Sequence, residues 1–388
     1  MPSWKLGGSV RVAVLGAGRV GSAIVADLAR DGDFEVTAVD SSAVALQRAV
    51  SQGAASKQQL HLADRGQLRK LAAGHDLVVG AVPGPIGYQT LEAVIQSGTN
   101  VVDISFFREN AFELNELAEG MGVTAVVDCG LAPGLSNMLL GFTETACDRA
   151  ERFVCYVGGL PKDRGGLFQY KAPFSPIDVI AEYNRPARYV ENGELRTAAA
   201  LSEVEQIEVE GVGTLEAFLT DGLRTLLDTA HVPNMREKTI RYPGHAAQME
   251  LLREMGLFGQ DPVEVGGIHV IPRELAARLL IPLWEFGPGD EDVTVMRVEI
   301  DAVSGSVCSR YTFELLDRYD VQTGTLSMAR TTGYTCTAVV RLVASGLYSA
   351  SGISPPEYVG RDAACFESVV SELKARGIEL RESVVTSR

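Results

Sequence analysis

Three glycines stand at a fixed spacing in Gly16-Ala17-Gly18-Arg19-Val20-Gly21, and an aspartate, Asp40, follows 19 residues after the last of them. Glycine at the first position permits a sharp turn, at the second it lets a pyrophosphate approach the backbone, and at the third it lets a helix pack closely on a strand. The helix that opens at Arg19 and Val20 would turn the positive end of its dipole toward the phosphates. A carboxylate at Asp40 can accept hydrogen bonds from the adenosine ribose diol, whereas a 2′-phosphate would meet its negative charge. Ser41 and Ser42 bring no compensating arginine, so these residues point to NAD over NADP. Asp64 suits either an approach to the adenine or the cap of a helix starting at Arg65. Ala81, Val82 and Pro83, in GAVPGP at Gly80 to Pro85, fall at a strand's carboxyl end, where open sheets bind ligands; their small size would let a nicotinamide ribose pass, and a plain loop is the alternative.

Such a turn needs a strand before it and a helix after it, and the sequence supplies both. From Val10 the chain reads as apolar runs alternating with helical spacing: VRVAVL, VGSAIVADLARDG, FEVTAVD, SAVALQRAVSQG, LHLAD, RGQLRKLAAG, DLVVGAVP, YQTLEAVIQSG, NVVDIS, AFELNELAEGMG and VTAVVDCG. This pattern predicts parallel βαβ units, about six strands in a doubly wound Rossmann sheet, within an α/β protein. Residues 1–130 form the predicted dinucleotide-binding domain. After GLAPGLSN the rhythm changes to longer β-rich segments, ERFVCYVGG, EKTIRY and DVTVMRVEIDAVSGSVCSRYTFELLD, the last a predicted hairpin turning at SGS. A second α/β domain over 131–330, built on a mixed or antiparallel sheet and holding the substrate, is predicted. TGYTCTAVVRLVASGLY has helical spacing and stops at a glycine, so 331–388 are predicted to return as helices to the first domain.

The 388 residues, 46% of them hydrophobic, are enough to bury a large core. A net charge of −15 opposes binding to nucleic acid or an anionic membrane surface. The N-terminal MPSWKLGGSV has no apolar core of a signal peptide, and no stretch reaches the ~18 apolar residues of a membrane span. A cytoplasmic enzyme with a small-molecule substrate is expected. Six cysteines, Cys129, Cys147, Cys155, Cys308, Cys336 and Cys365, lie without paired metal-ligand spacing, which argues against a zinc site and fits a reducing compartment.

Val127 to Met138, VDCGLAPGLSNM, taken with the glycine turn, resembles the saccharopine dehydrogenase-like family. YVGGLP (156–161), LSEVEQIEVEGVGTLEAFLTDG (201–222), EKTIRYPGHA (237–246) and MARTTGY (328–334) are similar to segments of the lysine 6-dehydrogenases within that family. They run in order along nearly the whole chain, and KTIRYPGH is far more specific than the glycines. The resemblance implies NAD-dependent oxidation of the lysine ε-amine to a semialdehyde that cyclises to a piperideine carboxylate. It also implies a Rossmann domain completed by C-terminal helices, and an inserted α/β domain that holds the substrate and mediates homo-oligomerisation, commonly as a dimer. Related members act on saccharopine or on carboxyspermidine-type imines. A catalytically silent NAD-binding sensor is the reading from another class. The loop DISFFR (103–108) is more aromatic than expected for the lysine enzymes.

Amine oxidation requires a neutral nitrogen, and hence a base. His245 follows Pro243 and Gly244, which break a strand where an amphipathic helix begins; the helix's positive end would disfavour the imidazolium, and a helix-start histidine packed against the core is the alternative. Lys171, in LFQYKAPFS, is a second candidate if a closed pocket desolvates it, with a solvated surface lysine as the alternative. Asp128, at the end of the sixth strand, could hold the substrate ammonium and stabilise iminium charge; capping the following turn is its simpler role. Arg241 and Thr239 share one face of the strand KTIRY, and the guanidinium suits bidentate capture of an amino-acid carboxylate, with a structural ion pair as the alternative. Tyr170 is either a pocket wall or core.

Overall fold

The computed structural model describes residues 8–172 and 176–387. The expectations touching residues 1–7, and the Pro173, Phe174 and Ser175 of the Lys171 segment, lie outside the described residues. The chain forms two compact units, Met1–Ala146 with Ala329–Ile378, and Cys147–Met328 with Glu379–Arg388.

In the first unit six strands, β1 (Val10–Leu15), β2 (Phe34–Asp40), β3 (Ser56–Gln59), β4 (Leu77–Gly80), β5 (Asn100–Asp103) and β6 (Thr124–Val126), alternate with helices. They lie in the order β6-β5-β4-β1-β2-β3, and Gly352–Ser354 adds a seventh strand beside β6; every pairing is parallel. Central strands of such a sheet are covered on both faces and therefore read as unbroken apolar runs. All of Leu77–Gly80 is buried, as are Val12 to Leu15. The third strand departs from expectation. LHLAD is not the strand; the preceding Ser56–Gln59 is, and all four of its residues are exposed. An edge strand needs one hydrogen-bonding neighbour and no apolar faces, so nothing in SKQQ advertises it. The expected helix AFELNELAEGMG divides into a 3-10 turn, Ala111–Leu114, and the helix Asn115–Met121.

The helix Leu135–Thr145 belongs to the first unit, not to the second as a boundary at residue 130 would have it. Its backbone touches that of the helix Pro356–Arg361: a Cβ on Gly141 would fall 2.1 Å from the Glu357 carbonyl oxygen, and one on Gly360 2.2 Å from that of Met138. Asn137 Nδ2 adds a buried hydrogen bond to Glu357 Oε2 at 3.2 Å. The C-terminal segment also departs from expectation. Helices Pro356–Arg361 and Ala363–Ala375 do lie in the first unit, yet Leu380–Ser387 is a strand of the second.

The second unit holds a nine-stranded mixed sheet in the order Glu205–Val209, Gly213–Leu219, Met235–Arg241, Arg149–Pro161, Asp292–Ser304, Val307–Arg318, Leu380–Ser387, with Ala187–Glu191 and Glu194–Ala198 off this path. Met235–Arg241 runs parallel to Arg149–Pro161, and the other pairings are antiparallel. The hairpin at SGS closes with Ser304 opposite Val307. One core, including Tyr170, Tyr183, Phe218, Met249 and Trp284, joins the sheet to helices Pro176–Glu182, His245–Glu254 and Pro272–Trp284. A separate core of Val154, Tyr156, Leu215, Ile240 and Val293 draws on strands of the same sheet.

Candidate functional site

In the first unit the glycine turn is built by close backbone approach. Gly16 has φ +98°, and a Cβ there would lie 2.3 Å from the Ala81 carbonyl oxygen; a Cβ on Gly21 would lie 1.9 Å from that of Gly16. Around Gly18, which caps the helix Arg19–Arg30, a Cβ would meet nothing within 4 Å. The turn is therefore closed at its first and third glycines and open at its second, the arrangement a dinucleotide's pyrophosphate requires. Asp40 reaches it from β2: Oδ2 accepts from the Ala17 backbone N–H at 2.7 Å, and Oδ1 from that of Ser42 at 2.7 Å. Ser105 Oγ accepts from the Val82 N–H at 3.3 Å, fixing the loop that also carries Ala81 and Pro83. Asp64 caps the helix Arg65–Ala72, accepting from Gln67 N at 3.0 Å, and these Gln67 hydrogen bonds hold its carboxyl below the usual range. Asp128 is buried with φ +50° at the turn before the cis Ala132–Pro133 bond. The aromatic loop turns inward: Phe107 is buried in the first unit's core against Tyr88.

The second unit gathers a buried polar row along Met235–Arg241. With a repeat of two, Glu237, Thr239 and Arg241 project from one face of this strand. Glu237 Oε2 lies 2.6 Å from Thr220 Oγ1, which lies 2.8 Å from Thr239 Oγ1, which donates to Glu182 Oε1 at 2.6 Å. Arg241 continues the row, with NH2 4.0 Å from the same Glu182 oxygen, NH1 donating to the Ile240 carbonyl at 2.8 Å and Nε donating to Tyr183 Oη at 3.0 Å. Tyr183 Oη in turn lies 2.9 Å from His245 Nε2, and His245 Nδ1 lies 3.3 Å from the Phe168 carbonyl oxygen. One tautomer satisfies the whole: Nδ1–H donates to Phe168, and Nε2 accepts from the Tyr183 hydroxyl.

Burial and the Arg241 charge push the His245 imidazole down to about 3. Neutrality was expected, but from the helix dipole. The structure gives other causes, because Glu216 already occupies that helix end, accepting from Gly244 N at 3.0 Å and Ala246 N at 2.7 Å. Glu237 moves the other way: burial, reinforced by Glu182 and Asp221, pushes its carboxyl up to about 8. Tyr170 packs under the Arg241 guanidinium, 4.7 Å from ring centre to Cζ, and against Trp284 at 5.3 Å. Tyr170 Oη and Trp284 Nε1 are buried with no hydrogen-bond partner among the described residues.

The structure thus brings His245, Arg241, Thr239 and Tyr170 together and leaves Lys171 aside. Lys171 was a base candidate on the condition that a closed pocket desolvates it; its Nζ instead pairs with Asp290 and donates to the Glu285 carbonyl at 3.1 Å, with the side chain partly exposed. Glu182, Tyr183, Glu216, Thr220 and Glu237 were not foreseen. Only Glu237 had a signal, the same alternation that placed Thr239 and Arg241 on one face. Among the described residues, no group of His, Cys, Asp or Glu could hold a metal ion, and no helix is long and apolar enough to cross a membrane.

Comparison with known proteins covers both units. Residues 12–126 match the saccharopine dehydrogenase NADP binding domain, and residues 130–378 match the saccharopine dehydrogenase C-terminal domain. The chain belongs to the saccharopine dehydrogenase family. Within the family, it is 23% identical over 454 residues to the mitochondrial alpha-aminoadipic semialdehyde synthase of Bos taurus, across 97% of this chain and 48% of that one. It is 27% identical over 267 residues to the saccharopine dehydrogenase [NADP(+), L-glutamate-forming] of Saccharomyces cerevisiae, across 66% of this chain and 60% of the yeast protein. The chain therefore spans about half of the length of these curated relatives. The solved apo saccharopine dehydrogenase (L-Glu forming) from Saccharomyces cerevisiae shares the fold, with a TM-score of 0.79 at 21% identity over 97% of this chain and 100% of that one.

Proposed function

We propose that this family member is an NAD-dependent dehydrogenase that oxidises the side-chain amine of lysine to the semialdehyde, which then cyclises. The observation that carries the reading is the glycine turn, closed at Gly16 and Gly21, open at Gly18 and clasped by Asp40. Those residues fit a pyridine dinucleotide, whose nicotinamide supplies a hydride acceptor. The family model is named for NADP, yet the Asp40 carboxylate would repel a 2′-phosphate and can accept from a ribose diol, which supports NAD. Arg241 binds the substrate carboxylate and so orients the chain for hydride removal. Tyr170, stacked on the guanidinium, offers its unpaired hydroxyl to the same carboxylate, and Thr239 steadies the neighbouring Glu182. His245 acts through Tyr183, holding that hydroxyl against Arg241. To Asp128 we assign the stabilisation of iminium charge.

The names of the relatives favour a second reading, in which the secondary amine of saccharopine is the donor. That substrate carries additional carboxylates and needs further cationic contacts. The test is NADH formation by purified protein with lysine, saccharopine or cadaverine. Lysine oxidised well ahead of cadaverine supports the reading; turnover of saccharopine alone moves the enzyme to the second; equal efficiency with cadaverine removes the carboxylate clamp.

A further inference from the structure

The row from Glu237 to Glu182 can be counted in hydrogens. It has three contacts, at 2.6, 2.8 and 2.6 Å, and the two threonine hydroxyls supply two hydrogens. If both carboxyls were ionised, each hydroxyl would turn to its own carboxylate, and the Thr220–Thr239 contact would be two oxygens facing each other at 2.8 Å with no hydrogen between them. One added proton removes this conflict. Placed on Glu237, it makes that carboxyl donate to Thr220, Thr220 donate to Thr239, and Thr239 donate to Glu182, which remains an acceptor with its charge. Burial agrees with the placement: Glu237 is 6% exposed, while the Glu182 side chain keeps 22% of its surface. The charged groups acting most strongly on Glu237 are Glu182, Asp221 and Arg241, and Asp221 is itself paired with Arg188 at 2.8 Å and lies 3.9 Å from Arg185. From the parallel strand the residue in register is Cys155, a neutral thiol when protonated.

At its other end the row presents a carboxylate and a guanidinium side by side, Glu182 and Arg241 at 4.0 Å. Their spacing is loose for an ion pair that is meant to satisfy itself. It matches a ligand bearing an ammonium and a carboxylate on one carbon, each of which would meet its opposite charge. One buried donor on the residue packed against the guanidinium, Tyr170 Oη, lacks a hydrogen-bond partner among the described residues, which independently calls for an acceptor at this place. We propose that Glu182 and Arg241 form a subsite for the zwitterionic head of an α-amino acid, Glu182 taking the α-ammonium, and that Glu237 is a positioning residue holding one proton that fixes the Thr220–Thr239 row on Glu182. The subsite rests on the reading of the chain as an amino-acid dehydrogenase and names the part of the substrate that does not react.

Lysine and 6-aminohexanoate test this directly, since they share the reacting amine and the carboxylate and differ in the α-ammonium. Binding of each to the NAD-loaded protein is measured by calorimetry for wild type, Glu182→Gln and Thr220→Val. Loss of one charge-assisted hydrogen bond should weaken lysine about ten- to a hundredfold in Glu182→Gln, and leave 6-aminohexanoate within about twofold. Thr220→Val should follow the same pattern more weakly. Equal losses for both ligands overturn the subsite. The proton is read separately, in the infrared carbonyl band of a protonated carboxyl, expected in wild type at neutral pH and missing in Glu237→Gln, a variant whose amide still donates to Thr220. An unchanged band, or none in wild type, overturns the role of Glu237. Selective lysine binding without NADH formation would instead leave the subsite standing and reject the proposed reaction.

Discussion

Two carboxyl groups, Asp40 and Glu237, show how one residue type takes opposite roles from its surroundings. Asp40 accepts two backbone hydrogen bonds at the turn, and Asp40→Ala should lower the ratio of NAD to NADP efficiency, measured as kcat/KM for each cofactor; an unchanged ratio would remove the carboxylate from cofactor choice. Glu237 holds its proton up to about pH 8, whereas an unfolded glutamate loses it near 4.3. Between these values the folded state carries the extra proton, so the contribution of Glu237 to stability falls as pH rises, with a slope of up to about 1.4 kcal/mol per pH unit. Urea denaturation across this window should show the slope in wild type and a shallower one in Glu237→Gln. The sequence made Asp40 legible because its position is fixed by the end of a strand and a spacing from glycines. Glu237 was hidden because its partners, Thr220 and Glu182, come from other elements and leave no local pattern.

The helix His245–Glu254 is an example at the scale of elements. Pro243 and Gly244 announced where it starts, and Gly244, with φ +96°, makes the turn into it. The sequence could not say what satisfies its first N–H groups. No side chain of its own does so; Glu216, from the strand Gly213–Leu219, accepts two of them. Glu216→Ala should cost about 1–3 kcal/mol, measured by urea denaturation, because buried donors are left unpaired. The same change should let the helix start drift and with it the His245 ring, so lysine turnover should fall while NAD affinity holds. Strands were legible in proportion to their burial. Val12–Leu15 of β1 and all of β4 are buried apolar runs, β2 alternates with its apolar residues buried, and Ser56–Gln59 forms an exposed edge whose polar residues carry no signal.

At the scale of the whole molecule, alternation of strands and helices pointed to the first unit, and the change of rhythm after GLAPGLSN, Gly130 to Asn137, pointed to the second. What composition could not give is where the chain last crosses from one to the other. Leu380–Ser387 pairs with Val307–Arg318 from Leu315 opposite Leu380 to Cys308 opposite Ser387, although most of its side chains are exposed. Deleting residues 379–388 should therefore leave NAD affinity unchanged and lower the second unit's resistance to protease, since Val307–Arg318 would become an open edge.

The seventh strand of the first sheet has a consequence for a chain still on the ribosome. Gly352 pairs with Thr124, so 228 residues are added after Thr124 before that partner exists. At 5–20 residues per second this takes roughly 10 to 50 seconds. Throughout that interval β6 is a hydrogen-bonding edge awaiting its neighbour, while the residues between 147 and 328 emerge and find their own partners. Birth order and sheet order thus disagree, and the nascent protein is most prone to wrong pairing along β6 during this wait.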